Sequence, residues 1–125
     1  MLISEQEILE LKNFVFDLNT LKNSIVIVEG KRDSNALRRI GYKGKILEFH
    51  KFAGMVDFAD FVAKYERVII LFDRDKKGRA LTAKIIQLLQ RRTKIDLSFK
   101  RKLRKITKGK IMFVEQLVNY EDYLA

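Results

Sequence analysis

The chain has no cysteine, no proline and a single histidine, His50. Without cysteine there can be no disulfide, no thiolate metal site and no thiol nucleophile. One histidine cannot build a histidine-rich metal centre. Any metal must therefore be held by oxygen ligands, which favours magnesium or manganese over zinc. The lack of proline suits a chain of helices and strands without long ordered loops. No run approaches the roughly 20 apolar residues that span a bilayer, and the N-terminus has no basic segment followed by an apolar one. Neither membrane insertion nor secretion is expected, and the expected location is the cytoplasm.

What the chain does have is enough apolar content for one core: 47% of its 125 residues are hydrophobic, the size of one domain. It also has a net charge of +10, distributed very unevenly. Between Arg91 and Lys110 stand ten basic residues and one acid, Asp96, while the remaining residues are nearly balanced. Such a local patch suits a polyanion such as RNA or DNA, although a solvated helix face would read the same way. An anionic membrane fits less well, because the apolar face beside the patch is small.

Periodicity orders the elements. Ser4 followed by Glu7 makes a capping-box pattern, and Ile8, Leu11, Phe14, Val15, Leu18 and Leu21 recur at helical spacing, predicting a helix over 4–22. Ser24–Glu29 is a β-branched run of strand length closed by Gly30. A helix over 32–40, a strand over 45–49, a helix over 55–65 and a strand over 67–72 follow. The second of these helices has Val56, Ala59, Phe61, Val62 and Tyr65 to pack inward. Leu81, Ile85, Ile86, Leu88 and Leu89 give a helix over 78–91 its apolar face, and a weaker strand is expected over 94–99. Phe99, Leu103 and Ile106 carry helical spacing through the basic segment; 111–124 reads equally as a strand or a docking helix. Phe49, Phe52, Phe58 and Phe61 are expected in the core.

Strands alternating with helices imply a Rossmann-like α/β unit with a mainly parallel sheet of about four strands, covered on both faces. In a flavodoxin-like order the first and third strands are neighbours, about 4.8 Å apart. Glu29 ends the first and Asp73 the third, so both carboxylates meet at one edge of the sheet. Asp75, two residues beyond Asp73, points the same way if the backbone stays extended, and Arg74 points opposite. Three close carboxylates repel one another unless a cation compensates them, and magnesium is the simplest remedy. They could equally cap strand ends or pair with Arg32, Lys76 and Arg79. Asp33 suits a position behind the metal ligands or a plain first-turn acid of a helix. Gly78 is expected to open the following helix, where free amides could face an anion, and His50 to sit in a loop.

The apolar strand ending in Glu29-Gly30 and the apolar strand ending in Asp73-Arg74-Asp75, with a helix, strand and helix between them, resemble the two motifs of a Toprim domain. That module is shared by bacterial primases, type IA and type II topoisomerases and small nucleases, including a ribosomal RNA maturation ribonuclease. The string Glu29-Gly30-Lys31-Arg32-Asp33 is more similar to the primase and maturation-nuclease branches, and small stand-alone prokaryotic Toprim proteins look most alike. The resemblance covers about 24–99. On this reading, residues 1–125 form one domain: an N-terminal helix (1–23), the Toprim core (24–99), and a basic helix with a C-terminal docking segment (100–125).

The resemblance implies that Glu29 acts as general acid or base or as a metal ligand, that Asp73 and Asp75 hold Mg2+ or Mn2+, and that the substrate is nucleic acid. Candidate phosphate contacts are Lys31, Arg32, Arg74, Lys76 and Lys77 beside the acids, and Arg101, Lys102, Arg104 and Lys105 in the basic segment. A topoisomerase would need a strand gate for which the chain has no room, and a bacterial-type primase would need a thiolate zinc module. A nuclease or phosphodiester-transfer module is left. The alternatives are a non-catalytic nucleic-acid-binding module or partner subunit, and a haloacid-dehalogenase-like phosphatase suggested by Leu-Phe-Asp73-Arg74-Asp75. The last would place this motif on its first strand and follow it with a small hydroxyl residue, whereas here it ends the third strand and Lys76-Lys77 follow. An open sheet edge at the weak fourth strand would permit a protein partner or a second copy.

Overall fold

The computed structural model describes residues 2–124. It contains helices α1 (Glu5–Thr20), α2 (Lys31–Arg39), α3 (Met55–Val62), α4 (Lys76–Leu89), α5 (Ser98–Ile106) and α6 (Glu121–Leu124), and strands β1 (Ser24–Val28), β2 (Ile46–Glu48), β3 (Arg67–Ile70) and β4 (Lys94–Asp96). Short 3-10 helices cover Phe49–Lys51 and Val114–Tyr120. None of the described helices is long and apolar enough to cross a membrane.

The four strands form one parallel sheet in the order β2-β1-β3-β4. All five residues of β1 are buried, as a central strand with helices on both faces requires. Alternation along it divides the core in two. Val26 and Val28, with Ile69 and Leu71, face α1, α2, α5 and the C-terminal segment. Ile25 and Ile27, with Val68, Ile70 and Phe72, face α3 and α4. Thus β1 and β3 lie side by side in register, Ile27 opposite Ile70, and the Leu71 N–H still donates to Ile27 O at 3.0 Å. Both strands leave the sheet at the same edge, β1 one residue before Glu29 and β3 three before Asp73.

Several boundaries differ from the periodicity. β2 has only three residues, because Phe49–Lys51 turns into a 3-10 helix whose His50 N–H donates to Glu29 O. α3 ends at Val62, and it buries Phe58, Ala59 and Val62 while Val56 and Phe61 face solvent. Phe49 and Phe52 pack edge-on to Phe58, at 5.0 and 5.1 Å between ring centres. β4 stops at Asp96, whose carboxylate accepts from both Ser98 N–H and Ser98 Oγ–H, so Phe99 belongs to α5. α4 starts at Lys76, two residues earlier than expected.

The C-terminal segment is helical, not a strand. It buries Leu117 and Tyr120 against α1 and α2. A polar clamp fixes it: Glu7, buried on α1, accepts from Lys110 Nζ at 2.7 Å and from Tyr120 Oη at 3.1 Å. Burial opposes the charge of Glu7, but the bonds from Lys110 and Tyr120 outweigh it and hold its carboxyl below the usual range. A carboxylate with a lowered pKa contributes stability above its unfolded value, and that contribution is lost as pH falls through the folded one. Glu7→Ala is therefore expected to cost roughly 1–3 kcal/mol at pH 7, since it leaves the buried Tyr120 hydroxyl without a partner and takes the carboxylate from Lys110. The difference from wild type should shrink below about pH 4.5, as followed by urea denaturation at stepped pH.

Candidate metal and nucleic-acid site

Glu29 and Gly30 follow β1 directly, and Gly30 is the N-cap of α2. The sheet edge thereby becomes the start of a helix, and Asp33, in its first turn, reaches back to accept from Gly30 N–H at 3.1 Å. On the neighbouring strand, the Asp73 N–H donates to Glu29 Oε2 at 2.8 Å across a separation of 44 residues. Asp73 Oδ1 in turn accepts from Val114 N–H at 2.8 Å. One oxygen each of Glu29, Asp33 and Asp73 is thus fixed by a backbone amide, and all three residues line a cavity of about 420 Å³.

The electrostatics of this cavity are those of crowded acids. Asp73 is pushed up to about 7, chiefly by burial, with Asp33 and Glu29 adding to the effect against the opposing bond from Val114. Asp33 is raised as well, again chiefly by burial, with Glu29 and Glu115 contributing. Lys31, Arg32, Lys77 and His50 line the same cavity. His50 Nδ1 lies 3.3 Å from Glu29 O. Glu115, which no sequence motif singled out, lines it too, and stands 4.0 Å from the exposed Arg32 guanidinium.

Asp75 is placed differently from the sequence expectation. It is the N-cap of α4, its Oδ1 accepting from Gly78 N–H at 2.8 Å, and it does not line the cavity of Glu29, Asp33 and Asp73. The backbone turns into α4 immediately after Asp75, so the extended geometry that would align it with Asp73 does not continue. The same bond uses the Gly78 amide, which is not free for an anion. Gly78 has a different function: a Cβ there would fall 2.0 Å from Asp73 O and 2.7 Å from Asp73 C. Only glycine lets α4 approach the Asp73 backbone this closely.

The basic residues separate into lining and non-lining sets. Arg74, Arg79, Lys100, Arg101 and Arg104 enclose a cavity of about 240 Å³ with no acid in its wall. Arg74, Arg101 and Arg104 also line an adjoining one of about 440 Å³ with Lys105 and Lys108. Arg74 does not line the cavity of Asp73, and its guanidinium donates to Ile111 O at 2.8 Å. Lys102 lies instead over the Phe99 ring at 4.8 Å, and Lys76 lines none of these cavities. Lys100 and Arg79 were missed as individual site residues. Burial lowers the Lys100 pKa, with the charges of Arg74 and Arg79 acting the same way and those of Glu29 and Asp73 opposing it. The signal was available in the helical phase of α5: with Phe99, Leu103 and Ile106 buried, Lys100 and Arg104 share a face at i, i+4.

The Toprim domain profile matches residues 24–114 of this chain. The chain belongs to the Toprim family. As a Toprim protein it is a metal-binding, nucleic-acid-related module. The matched span extends past the expected limit at 99 and takes in α5 and Val114, whose amide donates to Asp73. A UPF0292 protein of Archaeoglobus fulgidus is 36% identical over 102 residues, covering 81% of this chain and 79% of that protein. A UPF0292 protein of Methanosarcina acetivorans is 34% identical over 118 residues, covering 93% of this chain and 78% of its own length. A solved structure described as a putative protein from Aquifex aeolicus superposes with a TM-score of 0.70 at 27% identity, covering 85% of this chain and 96% of that one.

Among the described residues no three acidic or histidine side chains stand close enough together to enclose one ion by themselves. Magnesium does not require this. It is commonly held through one or two carboxylates, with waters and substrate phosphates completing the octahedron. The donor set here consists of hard oxygens, two of them on side chains linked through the Asp73 amide, so it suits that mode.

Proposed function

We propose that this Toprim protein carries out Mg2+-dependent phosphodiester hydrolysis or transfer on RNA or DNA, most simply as a nuclease. The observation that supports it is the pairing of Glu29 with the Asp73 backbone at one sheet edge, inside an acidic cavity beside an acid-free cationic wall. In this reading Glu29 and Asp73 hold the ion, and Asp33 adds negative charge behind them. When bound, magnesium or manganese would neutralise the phosphate oxygens and the leaving oxygen. Glu29 moves a proton to or from the reacting oxygen. Lys31, Arg32 and Lys77 hold phosphates at the mouth of the cavity, and the wall of Arg74, Lys100, Arg101 and Arg104 carries the flanking strand.

Asp75 serves twice in this reading, through its charge two residues from Asp73 and through its cap on α4. The two roles separate by substitution. Asp75→Asn keeps a good N-cap acceptor, so stability should stay within about 0.5 kcal/mol of wild type, whereas Asp75→Ala should cost about 1 kcal/mol. Activity should fall by roughly tenfold or more in both, as expected of a group that helps to order a metal ligand. A fully active Asp75→Asn protein would reduce Asp75 to the cap alone.

The test of the function is a metal-dependent cleavage assay on structured RNA, single strands and duplex DNA, comparing wild type with Glu29→Gln and Asp73→Asn. Cleavage that needs Mg2+ or Mn2+ and is lost in both variants is expected. Cleavage that survives both removes the catalytic assignment. Metal-independent binding without any cleavage favours the non-catalytic alternative.

A further inference from the structure

Phe113 stands between the two charged regions. It lines the acidic cavity with Glu29 and Asp73, and it also lines an apolar crevice shared with Arg74, Lys100 and Arg104. Its neighbours Ile111 and Val114 are buried, yet Phe113 is 37% exposed and Met112 is 47% exposed. The loop that presents them is fixed. Met112 O accepts from Arg74 N–H at 2.9 Å and Ile111 O from the Arg74 guanidinium. Val114 N–H is on Asp73, and the N–H groups of Met112 and Phe113 both donate to Gln116 Oε1, at 2.8 and 2.9 Å. A rigid loop therefore holds an aromatic ring in water at the rim of the acids. The other exposed large apolar side chains of the helices, Leu9 and Phe16 on α1, Val56 and Phe61 on α3 and Tyr123 on α6, line none of the charged cavities.

We propose that Phe113 is a stacking platform for an unpaired base, so that the strand held at the acidic cavity is single-stranded there. This rests on the reading of that cavity as a nucleic-acid site and adds the state of the strand. Along the surface the order is acids, aromatic ring, cations. A chain with its phosphates on Arg74, Lys100 and Arg104 and one phosphate at Glu29 and Asp73 passes over Phe113 between them. In a duplex each base face is already covered by its neighbours, whereas an unpaired base offers a free face to a ring. Stacking tolerates any base, so the position selects strandedness and not sequence.

The chain contains no tryptophan, so Phe113→Trp introduces a single indole at the platform. Binding is followed with Ca2+ in place of Mg2+, so that the phosphate at the acids keeps a cation while cutting is suppressed, using oligouridylate, oligothymidylate, a duplex of equal length and inorganic polyphosphate as probes. Single strands should quench the indole in step with binding measured by anisotropy. Duplex and polyphosphate should bind the cationic wall without quenching. Phe113→Ala should weaken single-strand binding by about 5- to 150-fold, the usual range for one lost stacking contact, and leave polyphosphate binding unchanged. Single strands that bind without quenching, duplex that quenches equally, or a Phe113→Ala protein within twofold of wild type would each overturn the stacking role while leaving the site itself intact. Failure of every nucleic acid to bind would overturn the reading of the site, and the platform with it.

Discussion

Glu29→Gln is expected to fold as wild type does and to lose roughly 10²- to 10⁴-fold in metal-dependent cleavage, the usual contribution of a positioned proton-transfer group. Folding is retained because the structural duty of Glu29 is to accept one hydrogen bond from the Asp73 N–H, and a glutamine carbonyl oxygen can accept it in the same place. Stability should be unchanged or slightly higher, since the substitution removes one of the negative charges that raise Asp73. A functional residue differs from a structural one in this respect: its removal relieves strain while activity disappears. Thermal unfolding and single-turnover cleavage on the same preparation make the comparison. A variant that is destabilised by several kcal/mol, or one that cuts like wild type, contradicts the assignment.

Gly78→Ala is the substitution with the largest expected structural effect. Helix propensity alone predicts a gain of about 1 kcal/mol, because Gly78 lies inside α4. Sterics predict the opposite. The added Cβ would meet three backbone atoms of Asp73, at 2.0, 2.7 and 3.0 Å, and backbone cannot rotate away as a side-chain end can. The clash decides the sign, and a net loss of about 3 kcal/mol, the upper end for overpacking, is expected by urea denaturation. What cannot be relieved by α4 moving must be relieved by Asp73 moving, and Asp73 is joined to Glu29 and Val114. A displacement of about 1 Å at a catalytic group can cost on the order of 10²-fold in rate, so the residual folded fraction should also be poorly active. An alanine variant of wild-type stability would show that α4 and the Asp73 turn have room that the geometry denies them.

The sheet was legible in the sequence because its two central strands are continuous β-branched apolar runs too short for a helix. Such runs suit strands buried on both faces, and the acids that end them meet at one edge. Helix ends were less legible, since capping is decided by single side chains. Asp75 and Asp96 each turn the chain into a helix earlier than periodicity alone suggests. Val56 and Phe61 were expected inside and are outside, because α3 buries the stripe of Phe58, Ala59 and Val62, and one apolar helix face excludes the other.

The meeting of Glu29 and Asp73 at one sheet edge and the exclusion of any thiolate metal site were determined by the sequence alone. Each followed from a local feature: a strand end, an acidic pair, a missing cysteine. Only the tertiary structure brought Asp33 into the acidic cavity in place of Asp75, set Lys100 in one wall with Arg74 and Arg104, and showed why residue 78 is glycine. These facts depend on distances between residues remote in the chain, on one helix approaching another strand's backbone, and on a C-terminal loop whose Val114 amide closes over Asp73. Sequence spacing carries no information about such contacts until the core has packed and fixed which surfaces meet.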